Sequence, residues 1–302
     1  MYCTPQRRVL SKLLQLGVSV SLFAALTASA QLAPIPERSP AELVKSAVAN
    51  ELAAANDSSV KHMFRSRKQT PKGSQTKLYV ETSDAMAAML IAINDQPLTS
   101  QQQQGETNHL AWLTGSPEQL RKKQAREKED AERMLRILKA MPDAFRYEYA
   151  GTVSGETGLG RAGKPLVRLK FIPDPDYSPP SRVEEVLAGM QGYLLIDPEA
   201  RRLARIDGTL LKDISFGWGL VGRLDKGGHV LVQQADAGDA TWDITELSLN
   251  IRGKILLFKT LNLVSDEVFS DFRRVPENLT FAQGVEQLKS QEEKLAHNSH
   301  KP

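Results

Sequence analysis

The feature that most constrains this chain is a succession of short alternating segments between residues 144 and 275. Two of them place apolar side chains at every second position: Phe145, Tyr147 and Tyr149, then Val167, Leu169 and Phe171. Such alternation turns one face of a strand towards a core and the other towards solvent. From Gly192 onward the connections between segments are too short for crossover helices, so the pattern predicts an antiparallel sheet.

Turn residues divide much of the remaining sequence into hairpins. An early hairpin is predicted from Val60–Lys68 and Gln75–Glu81, across Pro71-Lys72-Gly73. Later hairpins are predicted for Tyr193–Ile196 with Arg202–Ile206, for Val221–Leu224 with His229–Gln233, and for Thr241–Leu249 with Lys254–Leu263, which would turn at Arg252-Gly253. Val268–Arg274 is predicted as a last strand.

Four helices are predicted from capping boxes, in which Ser or Thr is followed three residues later by Glu or Gln. The boxes begin at Ser39, Ser116, Ser181 and Thr280. The helix from Ser116 should run to about residue 140 with a charged first half, whereas Gln101–Gln104 is predicted as a polar loop. Helices and antiparallel strands in one chain predict an α+β fold, in which the helices cover one face of the sheet.

The first thirty residues have the pattern of a secretory signal peptide. Arg7, Arg8 and Lys12 precede an apolar stretch over residues 13–28, and Ala28-Ser29-Ala30 suits signal peptidase. We expect cleavage before Gln31, a linker over residues 31–37, and a periplasmic or secreted product. An uncleaved anchor is the alternative, although the apolar stretch is shorter than the roughly 20 residues that span a bilayer.

Composition argues against several classes of protein. The only cysteine is Cys3, so the processed chain would contain no disulfide. Removal of the signal segment would leave 36 basic and 36 acidic side chains, a balance unlike that of nucleic-acid-binding proteins. No later segment is long and apolar enough to predict a membrane span.

Sequence motifs give no sign of catalysis or of a cofactor. The segment Gly158–Gly163 has the G-x-G-x-x-G spacing, but Lys164-Pro165 and a strand follow where a dinucleotide site needs a helix. A hairpin loop is the better interpretation. The sequence contains no H-E-x-x-H and no G-x-S-x-G. We therefore predict a protein that is not an enzyme and binds no metal or cofactor.

The C-terminal half carries a resemblance to a known family. It rests on Gly192–Asp197, Phe216–Gly219, Trp242 and Gly253–Lys259, which follow a signal peptide and an N-terminal helix. This succession resembles the outer-membrane lipoprotein carrier (LolA-like) superfamily. The resemblance implies an incomplete β-barrel, a curved antiparallel sheet with helices against its concave face, in the bacterial periplasm. No functional residue of the family can be matched to a position here.

The resemblance would cover residues 38–275, with the charged helix 116–140 as an insertion and residues 276–302 as a C-terminal helix and disordered tail. It implies a cleft between sheet and helices that holds a lipid or a lipoprotein acyl chain. The cleft walls are predicted to be the apolar alternates, or the set one residue over if the register is reversed: Tyr147, Tyr149, Val167, Leu169, Phe171, Leu195, Trp242, Ile244 and Phe258.

Two other functions stay open at this point. A structural or sensory envelope module would bind another protein, and would have a filled core and a large exposed apolar patch instead of a cleft. An unrecognised hydrolase would need ionisable groups with displaced pKa values that converge in a pocket.

Overall fold

The computed structural model describes residues 38–57, 59–216, 222–238, 241–255 and 259–299. The predicted signal segment lies outside these ranges. The described helices are α1 (Pro40–Ala55), α2 (Ser100–Gly115), α3 (Pro117–Ala144) and α4 (Phe281–Ser299), with a 3-10 helix, η1 (Glu184–Gly189). None of them is long and apolar enough to cross a membrane.

The strands make up most of the remainder and form a single sheet. They are β1 (Lys61–Thr70), β2 (Gly73–Val80), β3 (Ala87–Ile93), β4 (Gln96–Pro97), β5 (Phe145–Ser154), β6 (Pro165–Pro173), β7 (Met190–Asp197), β8 (Arg202–Leu210), β9 (Ile214–Phe216), β10 (Gly222–Leu224), β11 (His229–Gly238), β12 (Thr241–Ile255) and β13 (Lys259–Val275).

The sheet is antiparallel and does not close. Its strand order is β4-β3-β2-β1-β13-β12-β11-β8-β7-β6-β5, and the short strands β9 and β10 branch from β12. The two edges, β4 and β5, are not hydrogen-bonded to each other. The N-terminal hairpin joins the rest through β1 and β13, which are about 200 residues apart in sequence. The predicted α+β fold with an open antiparallel sheet is confirmed.

Local capping explains where the helices begin. Ser39 and Glu42 form the predicted box before α1. The prediction of a loop at Gln101–Gln104 was wrong, because Thr99 and Gln102 form a capping box that begins α2 one element earlier than expected. Helix α3 follows at once. Its N-cap residue Ser116 makes no side-chain cap, and the Ser116 backbone N–H bonds to the Leu113 carbonyl oxygen at the end of α2.

Two of the predicted hairpins are arranged differently. Arg252 and Gly253 do not form a turn, since β12 continues through them and pairs with β13 as far as Ile255. Strand β10 pairs with β12 and β9 and not with β11. The first hairpin was predicted correctly, as was the loop at Gly158–Gly163 between the paired strands β5 and β6.

Two large apolar cores lie at opposite ends of the sheet. The first joins β5 to β8 with α1, α3 and η1, and contains Leu43, Val44, Met141, Phe145, Val167, Leu169, Phe171, Leu187, Leu194 and Ile196. The second joins β1 to β3 with α2 and α4, and contains Met63, Leu78, Val80, Met89, Leu110, Phe281, Val285 and Leu288. Each helix pair thus covers one end of the sheet.

Strand register shows which face each core occupies. Paired residues of antiparallel strands point to the same side, so a face can be followed from strand to strand. One row on the first face runs through Leu169, Leu194, Ile206, Val232, Leu247, Glu267 and Lys68. Met63 lies an odd number of residues from Lys68 in the regular strand β1, so it points to the second face. The core at β5–β8 is therefore on the first face and the core at β1–β3 on the second.

Candidate functional site

The central strands of the sheet carry an apolar surface that the described helices leave open. Val232 and Leu247 face each other across β11 and β12, as do Val230 and Leu249, and all four lie on the first face. Each of them is half-buried. Helix α1 packs against β5, β7 and β8, but no helix among the described residues packs extensively against β11, β12 or β13. We call these four residues, with Phe269 and Phe64, the open apolar face.

An aromatic group forms the end of the open apolar face nearest β1. The rings of Phe64 and Tyr79 are stacked with their centroids 5.2 Å apart. Phe64 also contacts Phe269 at 6.0 Å and Phe272 at 5.5 Å. All four rings are half-buried. Stacked and edge-on aromatic contacts of this kind keep their rings in place without a covering helix.

Beside the aromatic group lies a buried polar cluster on the same face. Glu267 in β13 is buried, with one carboxylate oxygen accepting from the Ser66 hydroxyl and the other from Lys68 Nζ at 3.2 Å. The Lys68 side chain is 45% exposed, so its ammonium reaches solvent. Burial raises the pKa of Tyr79 to about 12, and the nearby Glu267 charge contributes. This cluster places the Lys68 ammonium, paired with Glu267, at the edge of an apolar surface.

The residues predicted from the sequence to line a cleft lie in several places. Val167, Leu169 and Phe171 are buried in the core beneath α1 and α3, and Tyr147 and Tyr149 pack half-buried against that core. Leu195 lies on the second face, with Leu159, Leu166 and Ala204, and Trp242 packs beside it. Ile244 is 42% exposed. Phe258 lies outside the described residues.

The separation of Leu195 from its neighbours follows from the alternation of β7. Leu195 pairs with Arg168, whereas Leu194 and Ile196 pair with Leu169 and Val167, so Leu195 points to the opposite face. A β-bulge in β8 adds Ala204 as an extra residue, which packs with Leu195. The sequence analysis also missed Val230, Val232, Leu247 and Leu249. The alternation of these apolar residues in 229–233 and 246–250 was the available signal.

A second, polar cavity lies near the end of α1. It has a volume of about 220 Å³ and is lined by Ala54, Asp57, Val60, His62, Glu81, Arg202, Thr241, Trp242 and Asp243. His62 Nδ1 lies 3.1 Å from Asp243 Oδ2, and the His62 backbone N–H donates to Glu81 Oε2 at 2.7 Å. The arrangement brings the Glu81 and Asp243 carboxylates and the His62 imidazole together, and the Thr241 hydroxyl and the Asp57 carboxylate also line the cavity.

Burial dominates the electrostatics of this cavity. Burial raises the pKa of Glu81. The hydrogen bond from the His62 backbone lowers this pKa, and the Asp243 charge raises it. Burial likewise raises the pKa of Asp243, against the influence of His62 and Arg202. Arg202 is itself held by Glu51 of α1 and lies over the Trp242 ring at 5.5 Å. These contacts tie α1 to the sheet, and we interpret the cavity as part of that attachment.

Comparison with known proteins gives a structural likeness. The chain is similar to a structure described as an outer membrane lipoprotein-sorting protein domain from Vibrio parahaemolyticus, with 11% identity and a TM-score of 0.32 over 82% of this chain and 99% of that one. It is also similar to a DUF1329 family protein from Desulfovibrio piger, with 9% identity and a TM-score of 0.27 over 83% and 100%.

No protein-family model and no curated protein matches the sequence. The resemblance to the outer-membrane lipoprotein carrier superfamily that the sequence predicted is confirmed as a weak structural likeness. TM-scores of 0.32 and 0.27 do not decide a function. The function is therefore argued below from the residues of this chain.

Proposed function

We propose that this protein is an exported, periplasmic and non-catalytic binder of an apolar ligand, either a lipid or the acyl chain of a lipoprotein. Residues 38–275 would form the binding domain. The ligand would lie along the open apolar face, from the aromatic group at Phe64 towards the core at β5–β8. The signal-peptide pattern over residues 1–30 supports the periplasmic location.

One observation carries this proposal. The first face carries apolar residues at Val230 and Val232 of β11, Leu247 and Leu249 of β12, and Phe269 of β13. They stay half-buried, and no described helix packs extensively against these strands. An apolar sheet face is normally covered, because burial of each CH₂ group contributes about 0.8 kcal/mol. Acyl chains are composed of CH₂ groups. A bound chain would bury the apolar residues of β11–β13, as α1 and α3 bury those at the β5–β8 end of the first face.

The predicted wall residues take different roles in this proposal. Tyr147 and Tyr149 are half-buried beside α1 and could contact one end of a bound chain. Val167, Leu169 and Phe171 support the binding surface from within the core. The contacts to the ligand are assigned mainly to Val232, Leu247 and their neighbours.

Titration with a fluorescent fatty acid tests the proposal, and β11 offers a matched pair of variants. Val232 and Leu231 are adjacent and both half-buried, but Val232 belongs to the open apolar face and Leu231 faces the other way, opposite Ser248. We expect saturable micromolar binding by the wild type. Val232→Asn should weaken it about fivefold or more, since a polar amide replaces apolar contacts, whereas Leu231→Asn should leave it unchanged.

Wild-type protein that shows no saturable binding at micromolar concentrations would contradict the proposal. Equal weakening by both variants would place the ligand elsewhere. The half-exposed apolar residues would then be better explained as a contact surface for another envelope protein. Native mass spectrometry of protein purified without detergent gives an independent test, because a carrier should retain lipid.

A further inference from the structure

The polar cluster at the edge of the open apolar face indicates which lipids this protein would take. It consists of Ser66 and Lys68 in β1 and Glu267 in β13, and Lys77 in β2 lies beside it. Lys68 pairs with Glu267 across β1 and β13, and Lys77 pairs with Ser66 across β1 and β2. Paired residues share a face, so all four groups lie on the face that carries Phe64 and Leu247.

We propose that Lys68 and Lys77 bind the anionic headgroup of a lipid whose acyl chain lies along the open apolar face. This inference rests on the proposed function and adds a headgroup class to it. The ligand would be an acyl lipid with a phosphate or a carboxylate beside the chain.

Hydrogen bonding at Glu267 fixes the position of Lys68 and leaves its ammonium able to bind a ligand. Both carboxylate oxygens already accept, one from Ser66 and the other from Lys68. An ammonium has three donors, so Lys68 keeps two for a ligand after it donates to Glu267. The buried carboxylate thus holds the lysine beside the apolar surface. Each of its oxygens already accepts a hydrogen bond from the protein.

The charge balance of the cluster favours an anion. Lys68 and Lys77 oppose the single carboxylate of Glu267, which leaves one positive charge in excess. Among the described residues, no carboxylate lies within 4 Å of the Lys77 ammonium. The Lys68 ammonium is paired with the Glu267 carboxylate. Tyr79, whose ring stacks on Phe64, is uncharged at neutral pH and adds no negative charge to the cluster, and burial raises its pKa further, to about 12.

The test compares two lipids that differ only in the headgroup charge. Palmitoyl lysophosphatidate and monopalmitoylglycerol share the glycerol and the chain, and each can displace an uncharged fluorescent probe. We expect the wild type to bind the phosphate lipid about tenfold more tightly, as for charge-assisted hydrogen bonds. Lys68→Gln and Lys77→Gln should each reduce that preference, measured as the ratio of the two affinities. Lys72→Gln, in an exposed turn, is the matched control and should retain the preference.

Loss of Lys68 leaves Glu267 without its counter-charge, so stability needs a separate check. The double variant Lys68→Gln/Glu267→Gln removes both charges, and it should fold and show the reduced preference of Lys68→Gln. Lys68→Arg should restore most of it. Inorganic phosphate alone should compete weakly, because it lacks the chain.

The outcomes separate the two proposals. Equal wild-type affinity for both lipids, or a preference that survives loss of both lysines, would overturn the headgroup assignment and leave the apolar site intact. Failure of the wild type to bind either lipid would overturn the proposed function as well.

Discussion

Glu51 of α1 and Arg202 of β8 form a nearly buried, bidentate ion pair, with nitrogen–oxygen distances of 2.8 and 2.9 Å. The same Glu51 carboxylate accepts the backbone N–H of Leu203 at 2.9 Å. The helix is thus joined to the sheet by three hydrogen bonds in addition to its apolar contacts. Because both charges are shielded from water, the loss of one partner leaves the other uncompensated.

Glu51→Ala should therefore lower the free energy of unfolding by about 3–5 kcal/mol. The exposed pair of Glu129 and Arg133 on α3 is the control, and Glu129→Ala should cost less than about 1 kcal/mol. Urea denaturation of the three proteins measures both values. A loss below 1 kcal/mol for Glu51→Ala would mean that this ion pair does not hold α1 in place.

Leu169 offers a test of the core at β5–β8. Its side chain is fully buried on the first face beneath the helices. Leu169→Asn should cost several kcal/mol of folding free energy, because it removes apolar contacts and buries an amide. Lys170→Asn, at the exposed neighbouring position, should have an effect within about 0.5 kcal/mol. Thermal unfolding of both variants checks this, and similar melting temperatures would show that Leu169 is not packed as described.

Two glycines should respond to alanine with opposite signs. A Cβ at Gly192 would lie 1.8 Å from the carbonyl oxygen of Asp207 in the paired strand, where only backbone movement could relieve the clash. Gly192→Ala should therefore destabilise the protein. Gly105 lies within α2 with nothing within 4 Å of its added Cβ, so Gly105→Ala should stabilise by up to about 1 kcal/mol. A Gly192→Ala variant as stable as the wild type in chemical denaturation would contradict the strand pairing.

Glu81 should make stability depend on pH. Burial raises its pKa in the folded protein, so the folded state binds more protons than the unfolded state between the ordinary carboxyl pKa and the raised value. Stability consequently falls as pH rises through that window. Glu81→Gln removes this dependence and keeps an acceptor for the His62 N–H.

The variant should be more stable than the wild type at pH 7, and the difference should disappear towards pH 4. Melting temperatures measured across that range test the sign. Glu148→Gln, an exposed carboxylate on β5, is the control and should follow the wild type. A Glu81→Gln variant that is less stable than the wild type at pH 7 would contradict the stated burial effect.

The N-terminal prediction can be tested separately. We expect exported protein to begin at Gln31, because Ala28 and Ala30 occupy the small-residue positions that signal peptidase recognises. Edman sequencing of the exported fraction reads the first residue directly. A chain that still begins at Met1 there would indicate an uncleaved anchor.

Local patterns were sufficient for most strands and for the beginnings of α1, α3 and α4. Alternation at Phe145, Tyr147 and Tyr149 predicts strand β5 because a pleated strand exposes every second side chain. The Ser39–Glu42 box predicts the start of α1 because its partners are three residues apart. The same rule would have found α2 through Thr99 and Gln102, so that error lay in the interpretation of a polar run and not in the information available.

The candidate site needed contacts between residues far apart in sequence. The β-bulge at Ala204 reverses the alternation within β8, and no local pattern announces it. The pairing of Lys68 with Glu267 joins residues 199 positions apart. Alternation predicts that one side of a strand is apolar, but it does not tell whether a helix covers that side.

The sequence by itself thus determined the antiparallel α+β class and the first hairpin, because these depend on periods and caps a few residues long. The tertiary structure alone decided that α1 and α3 cover one end of the first face, α2 and α4 cover the other end of the second face, and β11–β13 between them stay open. The position of each helix depends on which apolar surfaces of helix and sheet pack together. Those contacts join residues that are distant in sequence, so no short segment encodes them.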